Sequence, residues 1–401
     1  MRTVIIIALL VIGLIPALGQ APVGSSSGSF VLHIDNPMQH IRPGWQVPAV
    51  VQAGTFISTN DLIFPERTSL LVLCPDGRLR DFLPSELFPN DKLNCEVSPE
   101  NYILNVDGVR RYAIQRGGRQ DATIPYLISP RGTLIRDNDV VIRWNDPSNV
   151  REYRLRIFGG GEIVYEQTPF TPNDVLQVDG SNAVTLSVDL QPNVAYTVEI
   201  CVTFNNLREG CTTDAGWSSG VNVAFFYDPD PQLGGQSVSA LEQSIIAQLG
   251  ENTSESLYAR AVLFSQGMAT NTNGDPLGLN SEAIDLVTGL LDNHPDSALA
   301  NSAQVYYMLG TLYREIELPL SAARAYQMAD GLAENCTEVA ALTAYGLAGT
   351  DPNTNNIIGH YTASLENYTC LLDDDRFELQ YQTICESIGD LCANLPRQSS
   401  F

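Results

Sequence analysis

A short motif in the sequence carries the residue types of a catalytic nucleophile. The pentapeptide GWSSG at residues 216–220 matches the G-x-S-x-G pattern, in which a sharp strand-to-helix turn exposes the central serine, here Ser218. In this chain VNVAFFY follows the motif, and that run is β-prone rather than helical. A Gly/Ser turn between strands is therefore the favoured interpretation. We predict no catalytic residue and no enzymatic activity.

Potential metal ligands are scattered through the sequence. The four histidines fit no standard zinc spacing, and no C-x-x-C pair occurs. The stretch 269–280 lacks the acidic first and twelfth ligands of an EF-hand loop. Weak calcium binding by Asp228 and Asp230, or by Asp373–Asp375, is an alternative to solvated acidic turns. We therefore predict no cofactor and no metal site.

A cluster of arginines could contact an anionic partner. Arg110, Arg111, Arg116 and Arg119 occur close together with no acidic residue between them. Such a cluster can bind an anionic polymer such as cell-wall polysaccharide, or the acidic half of the same protein. A solvated face is the plainer alternative. Six further arginines follow nearby: Arg131, Arg136, Arg143, Arg151, Arg154 and Arg156.

The net charge of −24 is concentrated in the C-terminal part of the chain. From Asp228 onward there are 23 acidic residues and five arginines, a net charge of −18, which leaves −6 for the preceding residues. Negative charge of this density repels phosphate backbones. We therefore exclude nucleic acid as a partner of the C-terminal part.

The first residues predict export. MRTVIIIALLVIGLIPALGQ combines an early arginine, an apolar run and small residues at a cleavage spacing, so we predict a signal peptide at residues 1–21. A retained membrane anchor is the alternative, but the apolar run is shorter than the roughly 20 residues that span a bilayer. We expect an extracytoplasmic protein, secreted, periplasmic or at the cell surface, with no transmembrane span after cleavage.

The eight cysteines support the same compartment, because an even number grouped along the chain favours disulfides. Cys74 lies near Cys95 in the sequence, and Cys201 lies near Cys211. The remaining four allow three connectivities, between which the sequence does not choose. They are Cys336, Cys370, Cys385 and Cys392.

Composition and periodicity indicate that the mature chain is a multidomain β-plus-α protein. Residues 22–43 are rich in Gly, Ser and Pro and predict a flexible lead-in, and residues 44–122 predict a small β domain of short strands. In residues 123–227, apolar and polar residues alternate as they do along the strands of a β-sandwich. Residues 228–240 predict a linker, and residues 241–397 follow the helical period of 3.6 residues.

Residues 123–227 contain the alternating run VVIRW, which ends at Trp144, then Tyr153, then Leu190, Pro192 and Tyr196 in the pattern L-x-P-x-x-x-Y. The segment resembles fibronectin type III domains. That resemblance implies an Ig-like sandwich with a tyrosine corner and an adhesive or spacer role. The pair Cys201 and Cys211 in this segment is a departure from the family, whose domains usually lack it. Residues 53–84 are similar, over that short stretch alone, to FecR-like β domains.

The stretch from residue 303 places small and aromatic residues at fixed offsets. These are Tyr306, Leu309, Gly310, Tyr313, Ala322, Tyr326 and Ala329. The pattern resembles a tetratricopeptide (TPR) repeat, which implies two helices packed closely through the small residues. Glu317 and Leu318 replace the usual turn glycine, and Glu334 replaces the closing proline. Weaker units pair 257–266 with 283–295 and 337–347 with 361–372.

The TPR resemblance implies a concave groove, for which Tyr307, Tyr313 and Arg314 are the candidate lining residues. We predict a non-enzymatic, exported protein-binding scaffold that binds a protein or peptide in this groove. One alternative is a structural or adhesive protein of the cell envelope whose β domains bind polysaccharide. An ordinary helical bundle without a groove is the plainest interpretation of the helices.

Overall fold

The computed structural model describes residues 26–36, 38–96, 103–106, 122–178, 181–212, 225–270, 276–351, 353 and 356–395. The predicted signal peptide, the arginine cluster Arg110–Arg119 and the GWSSG motif lie outside these ranges. Within them, no helix combines the length and the apolarity that crossing a bilayer requires. The coarse expectation of a β-plus-α protein is confirmed.

The N-terminal part is a β domain of two sheets, in the orders β4-β1-β6-β7, with β9 also paired to β1, and β3-β2-β5-β8. Its strands are β1 (Ser26–Ile34), β2 (Met38–Ile41), β3 (Ala49–Val51), β4 (Phe56–Ser58), β5 (Leu62–Pro65), β6 (Leu70–Leu73), β7 (Leu79–Phe82), β8 (Asp91–Lys92) and β9 (Asn105–Val106). Because side chains alternate along a strand, β1 serves two cores. Val31 packs between the sheets, whereas Phe30 and Leu32 pack in the core that includes the helices.

Strands β1 (Ser26–Ile34) and β2 (Met38–Ile41) lie within the stretch 22–43, where composition favours a flexible lead-in, so the structure differs from that expectation in these residues. The alternation of apolar and polar residues in β1 begins inside the Gly/Ser-rich run. Small residues suit the part of β1 that pairs with β4. A Cβ atom on Gly28 would clash with the carbonyl oxygen of Ile57 on the paired strand β4. The composition that suggests flexibility here permits close strand pairing.

The middle part is a β-sandwich, with sheet orders β10-β12-β16-β15 and β11-β19-β17-β13-β14 and with β18 paired to β17. Its strands are β10 (Leu127–Ser129), β11 (Thr133–Ile135), β12 (Asp139–Asn145), β13 (Val150–Gly159), β14 (Glu162–Phe170), β15 (Leu176–Val178), β16 (Ser181–Ser187), β17 (Ala195–Phe204), β18 (Glu209–Cys211) and β19 (Phe225–Tyr227). β11 runs parallel to β19, and the other pairs in these sheets are antiparallel.

Aromatic side chains fill the sandwich. Trp144 and Tyr153 are buried with ring centroids 5.4 Å apart in an edge-to-face arrangement. The backbone N–H of Gln191 donates to the hydroxyl of Tyr196 at 2.6 Å. Tyr196 thereby ties the strand β17 to the turn before it.

The C-terminal part is helical. Its elements are β20 (Gln232–Leu233), β21 (Gln236–Ser237), α1 (Val238–Leu249), α2 (Ser254–Phe264), β22 (Ala269–Thr270), β23 (Pro276–Leu277), α3 (Asn280–Asn293), α4 (Ala303–Glu315), α5 (Pro319–Leu332), α6 (Glu338–Thr350), α7 (Ile357–Leu371) and α8 (Asp374–Ile388). The pairs α2–α3, α4–α5 and α6–α7 are consecutive helical hairpins. The expected linker at 228–240 contains the hairpin β20–β21 and the first turn of α1.

All eight cysteines form disulfides, as the sequence predicts. Cys74 pairs with Cys95, and Cys201 pairs with Cys211. For the last four cysteines, whose pairing the sequence leaves open, the pairs are Cys336–Cys370 and Cys385–Cys392. The first of these joins the start of α6 to the end of α7, so it closes the third helical hairpin.

Burial raises the pKa of several tyrosine hydroxyls. Burial, together with the carboxylate of Asp146, raises the pKa of Tyr153 to about 12. Burial also raises the pKa of tyrosines throughout the helical part, because the phenolate form loses its hydration there. These are Tyr258, Tyr307, Tyr326, Tyr361 and Tyr368.

These tyrosines set an alkaline limit to stability. A group whose folded pKa is raised contributes its full stability below its unfolded pKa, here about 10, and loses it as the pH rises toward the folded value. We expect the free energy of unfolding to fall above about pH 10. A spectrophotometric titration should show a late group of tyrosines that ionise as circular dichroism is lost. Ionisation of every tyrosine in one step, with unchanged circular dichroism, would contradict this burial.

Candidate functional site

One aromatic ring sets the packing of three helices. Tyr326 on α5 is fully buried, and its ring lies between a glycine of α4 and a glycine of α6. A Cβ atom added to Gly310 or to Gly346 would come within 2.6 Å of this ring. The hydroxyl of Tyr326 meets Thr311 Oγ1 at 3.3 Å. Side chains larger than hydrogen are therefore excluded at both glycines, and α4, α5 and α6 pack side by side.

Three side chains on α4 form the candidate site. Tyr307, Thr311 and Arg314 recur at the spacing that places residues on one helix face, and all three are half-buried. The rings of Tyr307 and Tyr326 lie 5.8 Å apart. Burial raises the pKa of Tyr307, and the charge of Arg314 acts in the opposite direction. The guanidinium of Arg314 is thus close enough to these phenols to act on them electrostatically.

Tyrosines of α6 and α7 extend this face. Tyr345 is half-buried, and its ring packs edge-to-face on that of Tyr361 with centroids 5.6 Å apart. The charge of Arg314 also acts on Tyr361, against the effect of burial. We define the Tyr/Arg face as Tyr307, Thr311, Arg314 and Tyr345. It combines half-exposed rings and hydroxyl groups with one cation.

The structure separates the three lining residues expected from the sequence. Tyr307 and Arg314 belong to the Tyr/Arg face, as defined above. Tyr307 and Tyr313 both pack, half-buried, against the core around Tyr326, and Tyr313 also packs against the core that joins the β domain to the helices. Tyr345 is the face residue that sequence reasoning missed. The sequence feature that could have identified Tyr345 is its position directly before Gly346. Gly346 is the counterpart, in the next hairpin, of Gly310.

The N-terminal β domain contacts the beginnings of the helices. A Cβ atom on Gly54 would lie 2.7 Å from the side chain of Ser302, which precedes α4. The hydroxyl of Tyr258 donates to the carbonyl of Gly54 at 3.1 Å. At the α7–α8 turn, the N–H of Asp373 donates to the carbonyl of Gly44 at 3.0 Å. The β domain therefore covers this end of the helical part.

Arg42 is the charged centre of that contact. Its guanidinium pairs with Glu338, the first residue of α6, and donates to Asp61 at 3.1 Å through Nε. It also lies 4.8 Å from the ring centroid of Trp45. Burial opposes the charge of Arg42, but the carboxylates of Glu338 and Asp61 outweigh it and raise the pKa. No local sequence signal marks this role, because its partner on α6 is 296 residues away.

Asp61 is held as a carboxylate beside Arg42. It is fully buried and accepts hydrogen bonds from His40 Nδ1 at 3.0 Å and from the N–H of Ser58 at 2.9 Å. Burial acts to raise the pKa of Asp61, but the bonds from His40 and Arg42 outweigh it and lower the pKa. The arrangement positions Arg42 and leaves no reactive group open to solvent.

The sandwich contacts the opposite ends of the helices. Strand β11 docks before α3, where the N–H of Leu134 donates to the carbonyl of Gly278 at 2.9 Å. Arg136 pairs with Glu242 of α1 at 2.6 Å and with Glu282 of α3 at 2.7 Å. Its guanidinium lies 4.6 Å from the ring centroid of Phe264, the last residue of α2.

Two more arginines of the sandwich pair with the acidic helices. Arg131 donates to Glu317, directly after α4, at 3.2 Å. Arg143 donates to Asp285 of α3 at 3.1 Å. Arg131, Arg136 and Arg143, three of the six arginines that follow the undescribed cluster, thus contact the acidic half of the same chain.

A shallow cavity of about 360 Å³ lies at the seam between the β domain and the α1–α2 turn. Its polar lining includes His33, Asp81 and Glu255. His33 Nε2 lies 3.2 Å from Asp35, and His33 Nδ1 lies 3.9 Å from Glu255. Exposed pairs of this kind contribute little to stability, because water screens the two charges. The cavity therefore lies at a weak contact between the β domain and the α1–α2 turn. Its polar side chains form no preorganised binding site.

Glu199, Cys201 and Cys211 bring potential metal-ligating atoms within 4.8 Å of one another in the described part of the chain. The two cysteines form a disulfide, so their sulfurs are not thiolate ligands. The geometry therefore does not support a metal site there.

A scan against protein-family models and a search among curated proteins find no match to this chain. Its function has to be argued from its own residues.

The glycine at position 346 provides a direct test of the helical packing. We expect Gly346→Ala to lower the free energy of unfolding by about 1–3 kcal/mol, because its Cβ atom meets the Tyr326 ring. Gly349→Ala is the matched control on the same helix, since a Cβ atom there meets no described atom within 4 Å. It should leave stability unchanged or raise it by up to about 1 kcal/mol. Urea unfolding measures both, and equal effects would refute the packing.

Arg136 tests the junction of the sandwich and the helices. Arg136→Met removes the cation from Glu282, whereas the buried Glu242 keeps Arg260 at 2.8 Å, so we expect a loss of about 1.5–3 kcal/mol in the free energy of unfolding. Arg156→Met breaks the more exposed pair with Glu166 and should cost less than about 1 kcal/mol. Thermal or urea unfolding gives the comparison. Similar losses in both variants would show that the Arg136 pairs do not hold the junction.

Proposed function

We propose that this chain is an exported, non-enzymatic scaffold that binds an extended segment of a partner protein on the Tyr/Arg face. One observation carries the proposal: the two β domains contact opposite ends of the helices, and the Tyr/Arg face lies between those ends. The β domains therefore act as supports of the face rather than as separate spacers.

The helical part has the packing features that TPR-like hairpins need. Consecutive hairpins follow each other along the chain, and Tyr326 fits against Gly310 and Gly346, which are small enough to admit it. Stacked hairpins bury a continuous core and present an extended surface. In the sandwich, the hydrogen bonding of Tyr196 to Gln191 supports the fibronectin type III-like assignment.

The composition of the face suits a peptide. Tyrosine and arginine dominate binding energy at protein interfaces, because a ring or a guanidinium gives a large contact area with polar atoms at its edge. The half-exposed rings of Tyr307 and Tyr345 can give such a contact area. Arg314 adds one cation to the face.

Export is supported by two independent features. The four disulfides require an oxidising compartment to form and persist. The apolar run with a small-residue cleavage spacing at the start of the sequence supplies the route. We place the protein outside the cytoplasm, secreted, periplasmic or at the cell surface.

The adhesive alternative has weaker support. It rests on an arginine surface that binds polysaccharide, and Arg131, Arg136 and Arg143 are engaged by carboxylates of the helices. Arg110–Arg119 lie outside the described residues.

A linear-peptide display library tests the proposed function. Selection against the purified full chain should enrich a family of peptides, and Arg314→Ala should weaken their binding at least about tenfold, as expected for loss of about 1.4 kcal/mol at an interface. Arg324→Ala, a change of the same type at an exposed position of α5, is the matched control and should leave the affinity unchanged. Isothermal titration calorimetry measures both, and circular dichroism verifies folding.

Failure to enrich any peptide family would overturn the proposal. So would enriched peptides that bind the Arg314→Ala variant and the unchanged chain equally well.

A further inference from the structure

A short motif for covalent modification occurs three times in the helical part of the chain. Asn-x-Ser/Thr, with x other than proline, is the acceptor motif for N-linked oligosaccharide in exported proteins. The three copies begin at Asn252, Asn335 and Asn367. An oligosaccharide is bulky and polar, so a folded protein accommodates it only on an exposed amide with open space around it. The structure separates the three copies by this criterion.

The first copy lies in the turn between α1 and α2. Asn252 is exposed, and its side-chain amide has no hydrogen-bond partner among the described residues. The turn itself is held in place, because His294 Nε2 lies 2.7 Å from the carbonyl oxygen of Asn252. The next residue, Thr253, caps α2 and lines the shallow cavity at the seam with the β domain. Asn252 therefore presents a free amide beside open space.

The second copy has the same features. Asn335 is exposed in the turn between α5 and α6, and none of the described residues forms a hydrogen bond with its amide. Thr337, which supplies the hydroxyl of the motif, caps α6 by accepting from the N–H of Ala340 at 3.3 Å. The residue between them, Cys336, is held by its disulfide to Cys370. Asn335 therefore also presents a free amide from an ordered turn.

The third copy is closed to modification. Asn367 lies within α7 and is half-buried. Its Oδ1 accepts a hydrogen bond from the backbone N–H of Cys336 at 2.8 Å, and its Nδ2 donates to the carbonyl oxygen of Ala363 at 2.9 Å. A sugar on Nδ2 would displace the contact with Ala363. Asn367 instead anchors the turn that carries Asn335.

We propose that Asn252 and Asn335 are acceptor sites for N-linked oligosaccharide and that Asn367 is not. In this reaction the asparagine Nδ2 attacks the anomeric carbon of an oligosaccharide carried on a lipid diphosphate. A carbon–nitrogen bond forms, the bond from that carbon to the diphosphate oxygen breaks, and the amide loses one proton as the lipid diphosphate leaves. The transfer takes place beyond the export membrane, so the inference rests on the export proposed above.

Both acceptors lie at the end of the helices that the β domain contacts. Asn252 directly precedes the cap of α2, a helix that also contacts Gly54 through Tyr258. Asn335 precedes α6, whose first residue pairs with Arg42. Oligosaccharides on the two asparagines would flank the junction of the β domain and the helices with hydrated groups.

Translation of the full chain in the presence of microsomes that contain an oligosaccharyltransferase tests this inference. Protection from added protease reports import. Peptide-N-glycosidase in heavy-oxygen water then converts each modified asparagine to labelled aspartate, which mass spectrometry locates. We expect label at Asn252 and Asn335 and none at Asn367. Import without label at either expected site, or with label at Asn367, would overturn the inference and leave export standing. Failure of import would overturn both.

Two serines of α2 provide a matched pair of variants. Ser254→Ala removes the hydroxyl of the motif but keeps Asn252, so the label at Asn252 should be lost. Ser254→Thr restores a hydroxyl and should restore the label. Ser256→Ala removes a hydroxyl from the same helix outside the motif and should leave the label unchanged. Label at Asn252 in the Ser254→Ala chain would show that the modification does not follow the motif and would overturn the assignment of this site.

Discussion

Partly buried arginine–carboxylate pairs between domains are the constraint on which the arrangement of this protein depends. Arg42 joins the β domain to α6, and Arg136 joins the sandwich to α1 and α3. A charge withdrawn from water is tolerated only with close, well-directed partners. Each guanidinium therefore fixes not just a contact but an orientation, and apolar packing continues from the β domain through α5 around these pairs.

This arrangement changes how the parts of the protein relate to the proposed function. A chain of β spacers followed by a separate helical module would leave the helices free to move against the β domains. Here both domains are anchored at defined helix ends, and the Tyr/Arg face lies on helices that the Tyr326 ring locks together. A partner would meet a preorganised surface, which reduces the entropy lost on binding.

Much of the local structure can be predicted from the sequence, because it follows from periodicity. The helical stretches expected at 257–266 and 283–295 correspond to α2 and α3, and the small residue at Gly310 is where helix packing requires it. The contacts between residues far apart in the sequence could not be predicted. Arg42 and Glu338, or Trp45 and Leu372, are joined only by the folded chain, and no local pattern records such a partner.

The bridge between Trp45 and Leu372 has a consequence for how this chain can evolve. A protein built from independently folded domains can lose, duplicate or exchange one domain while the others stay folded. In this chain a strand-like contact of the first domain completes the turn before the last long helix, and the sandwich holds the helices from the other end. Recombination that moved the helical part alone would expose the apolar and charged surfaces that the β domains now cover. Selection is therefore expected to act on the three parts as a single heritable unit.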